Sequence, residues 1–235
     1  SIIKVIGVGG GGSNAVNHMY NQGIIGVDFI VCNTDRQALD ISPVPLKIQL
    51  GPSLTEGRGA GSLPEIGKNA AIENIDEIRE LLGKNTKMVF ITAGMGGGTG
   101  TGAAPVIAQL AREKGLLTVG IVTAPYKWEG KEKINYALKG IEELKTYCDT
   151  VLVVMNDKLA EIHKDLALKD AFSKADDVLA KAVKSVVDVI AKPGDVNTDF
   201  VDVKKVLKNA GQAMMSSALG QGEDRALMAI SDALE

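Results

Sequence analysis

Residues 94–102 read GMGGGTGTG, Gly94 to Gly102, in which six of nine positions are glycine and none is charged. Upstream lies KMVFIT, a β-branched and aromatic run of strand character, and downstream AAPVIAQLAREKG has the apolar spacing of a helix. Glycine loses more conformational freedom on folding than any other residue. So dense a cluster therefore predicts backbone N–H groups that approach a partner closely or adopt positive φ. Between a strand and a helix N-terminus, the partner that fits is a phosphate chain, with Gly96, Gly97, Gly98, Gly100 and Gly102 as the cradle and Thr99 and Thr101 adding hydroxyls. No Gly-Lys-Ser/Thr follows, so the stretch is not a Walker A loop.

Working outward, strand-like runs (IIKVIGV, VDFIVCN, PLKIQL, KMVFIT, LLTVGIVT, TVLVVM) alternate with helix-period segments (NAVNHMYNQ, PEIGKNAAIENIDEIRELLG, PVIAQLAREKG, KEKINYALKGIEELKTY). This is α/β punctuation, and it predicts a Rossmann-like, mostly parallel sheet flanked by helices. Then comes one long helix, Leu168 to Ala191, with apolar residues at 168, 171, 172, 175, 178, 179, 182, 183, 186, 187 and 190. Lys192, Pro193 and Gly194 end it. Beyond lie a short helix from about Asp202, an ambiguous run QAMMSSAL and a final helix from about Glu223. The expected organisation is a nucleotide domain over 1–167, a central helix over 168–191, and in 192–235 a region too small to close a sheet of its own.

The 235 residues are 45% apolar and 23% charged, the balance of an ordinary soluble globular protein. A net charge of −3 argues against a nucleic-acid partner, which calls for a basic face. The opening SIIKVIGVGG reads as strand and turn rather than signal peptide, and no apolar stretch reaches bilayer length, so a cytoplasmic protein without membrane insertion is expected. Cys32 and Cys148 sit in or beside apolar runs at no metal-ligand spacing and read as buried free thiols. His18 and His163 are isolated, so no metal ligands are assigned; Trp128 is a lone aromatic in a polar loop.

Two further glycine clusters stand at comparable places: Gly7-Val-Gly9-Gly10-Gly11-Gly12 after the first strand, and Gly57-Arg58-Gly59-Ala60-Gly61 before a helix led by Pro64. The first satisfies GxGxxG, and a dinucleotide-binding oxidoreductase, with Asp28 or Asp35 as its ribose acid, is one reading. It leaves the other two clusters without a task. Three argue for a longer phosphate chain, and a module that holds nucleotide without cutting it is a further alternative.

GVGGGGSNAVN, NTDRQAL, GRGAGSLPE, GMGGGTGTGAAPV, NDKL at 156–159, AFSKADDVL and NTDFVDV together resemble the FtsZ family of bacterial tubulin homologues, in order and spacing, from residue 2 to the end. GGGTGTG is the signature of the tubulin superfamily; GVGGGGSN and NxDFxD select FtsZ within it. The resemblance implies a GTP- and GDP-binding GTPase of cell division that polymerises head to tail, with Mg²⁺ accompanying the nucleotide. It also implies membrane tethers and regulators that bind through a C-terminal tail.

Phe172 and Asp176 lie four residues apart, on one face of the long helix. An aromatic ring can stack on a purine, and a carboxylate suits the adjacent N1–H and 2-amino donors of guanine, which adenine lacks. The resemblance adds Asn156 to this base site, and Asn14, Glu129 and Lys133 as sugar and base contacts beside Pro125. Lys133 stands where the family commonly has arginine, and TAPYKWEG replaces its usual TxPFxFEG.

The resemblance also implies that Asn197, Asp199 and Asp202 form a catalytic loop that orients water for attack on the γ-phosphate; from the residues alone, Asp202 reads equally as a helix start and Asp199 as a capping or turn acid. From Asp176 to Ala191 is 15 residues, about 22 Å of helix, and these acids follow that end. They are therefore expected to serve the nucleotide of a neighbouring subunit, a heterologous contact that builds a filament. Family members continue into a C-terminal sheet domain that supplies part of the lower contact, so this chain is expected to bind GTP but to assemble and hydrolyse poorly.

Overall fold

In the computed structural model, which describes residues 1–162, 168–192, 198–216 and 218–234, every strand-like run named above lies in one sheet. The first half of the chain reads β1 (Ile3–Val8), α1 (Gly9–Asn21), β2 (Asp28–Asn33), α2 (Arg36–Asp40), β3 (Leu46–Gln49), α3 (Pro52–Thr55), α4 (Pro64–Glu73), α5 (Ile75–Leu81) and β4 (Met88–Gly94). The second reads α6 (Thr99–Glu113), β5 (Leu117–Ala124), α7 (Lys131–Tyr147), β6 (Thr150–Met155), α8 (Asn156–Ile162), α9 (Leu168–Ala191), α10 (Phe200–Leu207), β7 (Gly211–Gln212) and α11 (Arg225–Leu234). Strand order is β3-β2-β1-β4-β5-β6-β7, and every pairing is parallel.

The two-residue side-chain period of each strand divides the core into two layers. Ile6, Val8, Val89 and Ile91 face one side, where Ala71 of α4, Ala104 and Ile107 of α6, and Leu144 of α7 cover them. Ile3, Val5, Met88 and Phe90 face the other, under Val16 and Met19 of α1 and Leu179, Val183 and Val187 of α9. The long apolar stripe of α9 is thus the lid of the second layer. Both cysteines are buried free thiols, and burial pushes each up to about 12.

Several boundaries differ from the sequence reading, the final helix among them, which begins at Arg225 rather than about Glu223. The helix expected over 64–83 breaks at Asn74 (φ −104°, ψ 24°), because tertiary bonding competes with its propensity. Asn74 Oδ1 accepts from the Gly51 N–H at 2.8 Å, and the Glu73 carboxylate accepts from Ser53 and Leu54 at 2.9 and 3.1 Å, capping α3. Helices α1 and α6 begin inside their glycine clusters, at Gly9 and Thr99, rather than at Asn14 and Ala103. Helix α10 begins at Phe200 instead of near Asp202, and Gln212, first residue of the ambiguous run, ends the two-residue strand that pairs with Thr150 and Val151. The Pro193–Gly194 stop, His163 and Asn197 lie outside the described residues.

Helices α4 and α6 touch through backbone. A Cβ on Gly102 would lie 1.9 Å from the carbonyl oxygen of Pro64, and one on Gly67 would lie 2.3 Å from that of Gly98. Gly102→Ala is therefore expected to cost about 3 kcal/mol or more, because only a separation of two helices relieves the clash. Urea unfolding of the variant measures it.

Candidate nucleotide site at the carboxyl edge of the sheet

All-parallel pairing puts the carboxyl end of every strand on one edge, where the loops enter helix N-termini. A cavity of about 200 Å³ opens there. Its floor comes from α1 (Gly11, Asn14) and from the turn after β4 (Gly94, Met95, Gly97). Its walls are Thr123, Pro125 and Glu129 after β5 and Asn156 after β6, and α9 closes it with Phe172, Ala175, Asp176 and Leu179. Gly11, Asn14, Gly97, Pro125, Glu129, Asn156, Phe172 and Asp176 were expected from the sequence. Met95, Thr123, Ala175 and Leu179 were not, although 172, 175, 176 and 179 form one helical face and the last two could have been read from that spacing.

The glycines mostly meet other backbone rather than a ligand. Gly9 adopts φ +71°, and a Cβ there would sit 2.7 Å from the Gly100 nitrogen; a Cβ on Gly98 would press on Ala60 at 2.8 Å. The three clusters therefore interlock. Gly59, Ala60 and Gly61 do not line the cavity; their loop packs on the third cluster, with the Gly59 N–H donating to the Thr34 carbonyl at 3.3 Å. Gly96 takes φ +106°, where a side chain would meet the Lys133 carbonyl at 2.9 Å.

The threonine hydroxyls serve the same interlock. Thr99 Oγ1 lies 2.6 Å from Thr34 Oγ1, and Thr101 Oγ1 accepts from the Gly96 N–H at 2.8 Å. Gly10 and Gly97 differ, as do Gly59 and Gly61 in the second cluster: a Cβ on any of them would meet no atom within 4 Å. The bare surface of Gly10 and Gly97 faces room that a phosphate chain can use. Gly10→Ala in the first turn of α1 is accordingly expected to leave stability unchanged or raised by about 0.5–1 kcal/mol. Affinity for GDP should fall about tenfold, read by titration calorimetry.

Two groups in the cavity lack what they need. Asn156 is 5% exposed, and its Oδ1 has no hydrogen-bond partner among the described residues. Asp176 is pushed up to about 6 by burial; His18 opposes the shift and Asp177 adds to it. Phe172 is 42% exposed, a large ring with one face unpartnered by the core. An orphaned amide, a desolvated carboxylate and a bare ring on one rim fit a purine that carries hydrogen-bond donors.

The rim carries an aromatic stack. Trp128 is not isolated: it lies on Tyr126 with ring centroids 5.2 Å apart, and Tyr126 meets the Phe172 ring edge-on at 5.5 Å. Glu129 is held by the Tyr126 N–H at 2.9 Å and by Lys133 Nζ at 3.2 Å. Lys133 itself does not line the cavity; it braces Glu129, which does.

Asp199 and Asp202 lie elsewhere. They form a capping box at the start of α10, where the Asp202 N–H donates to Asp199 Oδ1 at 3.0 Å and the Asp199 N–H to Asp202 Oδ2 at 3.4 Å. Asp202 lines a separate, almost wholly apolar cavity with Ser185 and Val189 of α9, 9 and 13 residues beyond Asp176. Along the axis that is about 14–20 Å. Because α10 folds back against α9, the interval is shorter than one measured to the end of the helix.

A parallel α/β sheet with three interlocked glycine turns and a purine-shaped rim defines a nucleotide-binding domain, and residues 2–164 match the Tubulin/FtsZ family, GTPase domain. The chain belongs to this family. It is 53% identical over 234 residues to the cell division protein FtsZ of Porphyromonas gingivalis, covering 99% of this chain and 51% of that protein. It is 50% identical to FtsZ of Aquifex aeolicus, covering 99% of this chain and 63% of that one. The chain thus spans about half of the first of these relatives and less than two thirds of the second.

Among solved structures, an empty FtsZ dimer of M. jannaschii superposes with a TM-score of 0.92 at 45% identity, covering 99% of this chain and 67% of that one. A GTPγS-bound protofilament of CetZ2 from Haloferax volcanii superposes at 0.78 and 23% identity, covering 93% and 68%, and shares the fold.

Proposed function

We propose that the chain binds GTP and GDP at this edge and is a GTPase of cell division. In this reading it assembles head to tail, each hydrolytic site being completed by the next subunit. The observation that carries the proposal is the placement of the purine rim and of Asp202 in different cavities, at separate stations along α9. Asp176 accepts from the two guanine donors, Phe172 stacks on the ring, and Asn156 supplies the remaining base contact. Asn14 and Glu129, the latter braced by Lys133, face the sugar. The open faces of Gly10 and Gly97 and the N-terminal N–H groups of α1 and α6 receive the phosphates.

Asp199 and Asp202, with Asn197, orient and polarise water for attack on the γ-phosphate of the subunit below, the positioning that phosphoryl transfer requires. The described residues hold no cluster of three metal-ligating side chains. Mg²⁺ would enter with the nucleotide, whose oxygens suit that ion, and would supply neutralisation of phosphate charge. No described helix is long and apolar enough to cross a membrane, and tethers bound through a C-terminal tail would bring the filament to the division site.

Trp128 is the sole tryptophan, stacked two rings from the cavity. Its fluorescence should change on adding GTP or GDP and stay flat with NAD. A response to NAD instead would restore the dinucleotide reading. A domain that holds nucleotide without cutting it draws support from the capping box, which occupies one oxygen of each acid. The Asp202 variants discussed below separate the two.

A further inference from the structure

Helix α1 reaches from the phosphate floor to the base rim on one stripe. Gly11 and Asn14 line the cavity, and His18, the next residue at helical spacing, continues their face. His18 Nε2 lies 2.7 Å from Asp177 Oδ1 on α9, a contact spanning 159 positions of sequence. Gln22 meets the same nitrogen at 2.7 Å. Either role is open to the ring nitrogen according to its tautomer; donation from Nε2–H to the Asp177 carboxylate is the charge-assisted one.

Among the described residues, the buried contacts of α9 beside the cavity are Ala175, Leu179 and Ala180, two of them methyl-sized, while its larger buried side chains Val183 and Val187 pack further along the helix. Successive residues of a helix are turned by about 100°, so a small roll of α9 swings Asp176 away from a bound base. Asp177 is its immediate neighbour, and a directional bond to it fixes that roll. Lys174 Nζ, 3.8 Å from the other oxygen of Asp177, lies on α9 itself and cannot do so.

We propose that His18 is a positioning residue for base recognition: through Asp177 it locks the rotation of α9 that turns Asp176 and Phe172 into the cavity. This rests on the guanine reading of the site and adds the element that makes the pocket discriminating. His18 touches no nucleotide in this account. It converts the rigid length of α1 into a fixed relation between phosphate floor and base rim.

The test compares GDP with inosine diphosphate, which lacks the 2-amino donor, by calorimetry on the 235-residue chain. His18→Ala and Asp177→Ala should each weaken GDP about tenfold, with a loss for inosine diphosphate at least threefold smaller, because only guanine uses both donors. The double variant should be no worse than either single one. His18→Gln, which keeps a donor, should recover most of the discrimination. Equal losses for the two nucleotides, additive losses, or an unchanged GDP affinity would overturn the proposal. A wild-type chain without preference for GDP over inosine diphosphate would overturn the guanine reading itself, and this inference with it.

Discussion

Asp176→Asn lowers the affinity for GDP about a hundredfold at pH 7.5 and raises the melting temperature of the nucleotide-free protein. Both effects come from one cause. The Asp176 carboxyl is held near 6 by burial, above its ordinary 3.8, so ionising it in the empty cavity is unfavourable. A carboxylate accepting from two guanine donors makes charge-assisted bonds of about 1.5–3 kcal/mol each, of which the amide retains one neutral bond. A net loss near 3 kcal/mol is about two decades in affinity.

The sign with pH follows from the direction of the shift. A folded value above the unfolded one means that stability from this group is full below about 3.8 and is lost as pH rises through about 6. The melting-temperature difference between variant and wild type should therefore open across that window and stay constant above it. Wild-type affinity for GDP should fall below pH 6, as the carboxyl gains its proton, while that of the variant stays flat. A variant that melts with the wild type at every pH, or binds GDP equally well, would remove Asp176 from the base site.

The second large effect concerns Asp202. If the site is shared between subunits as proposed, GTP turnover per molecule should rise with protein concentration. Asp202→Asn should cut it about a hundredfold with GDP affinity unchanged. The amide still accepts from the Asp199 N–H, so the capping box survives; a merely structural Asp202 predicts unaltered turnover. Asp202→Ala adds the cap loss, about 1 kcal/mol of helix stability.

Mixing Asp202→Asn with Asp176→Asn is the sharper form of this experiment. One partner keeps an intact pocket, the other intact acids, and about a quarter of head-to-tail junctions bring the two together. Activity in the mixture beyond the sum of the separate proteins supports a shared site. Turnover that ignores concentration, with no complementation, would place the whole reaction within one chain.

Much of this was legible before any coordinates. The strands announced themselves by β-branched runs, and α9 by its stripe, since burial on one face leaves a periodic trace. What escaped was decided by partners remote in sequence. Helices α1 and α6 start in glycine, poor in intrinsic propensity, because the bare first turns pack against neighbouring backbone. The break at Asn74 exists because Gly51 needs an acceptor. Strand β7 is too short to leave a pattern, and its pairing comes from adjacency to Thr150 and Val151.

The site divides likewise. That Phe172 and Asp176 share a face was readable from spacing; by pattern alone Phe172 fitted the core equally well, and the resemblance marked it, like Asn156, as a base-site candidate. The bond between His18 and Asp177 was invisible, because nothing in either local sequence refers to the other. Thr99 and Thr101, read as hydroxyls for a ligand, also fasten loops, which their local sequence does not announce. Composition reveals the presence of a polar group but not which neighbour claims it.

The interlocking of the three glycine turns divides labour in a way that matters for anyone wishing to retarget this scaffold. Since main chain presses on main chain at Gly9, Gly98 and Gly100, alanine scanning at those positions will mostly report broken folding. In the proposed reading, preference for one base over another rests on a handful of replaceable side chains on α9 and after β6, which line the cavity. A library restricted to Asn156, Phe172 and Asp176 should therefore yield folded variants with altered base choice, whereas one spread over Gly9, Gly98 and Gly100 should yield mostly aggregates.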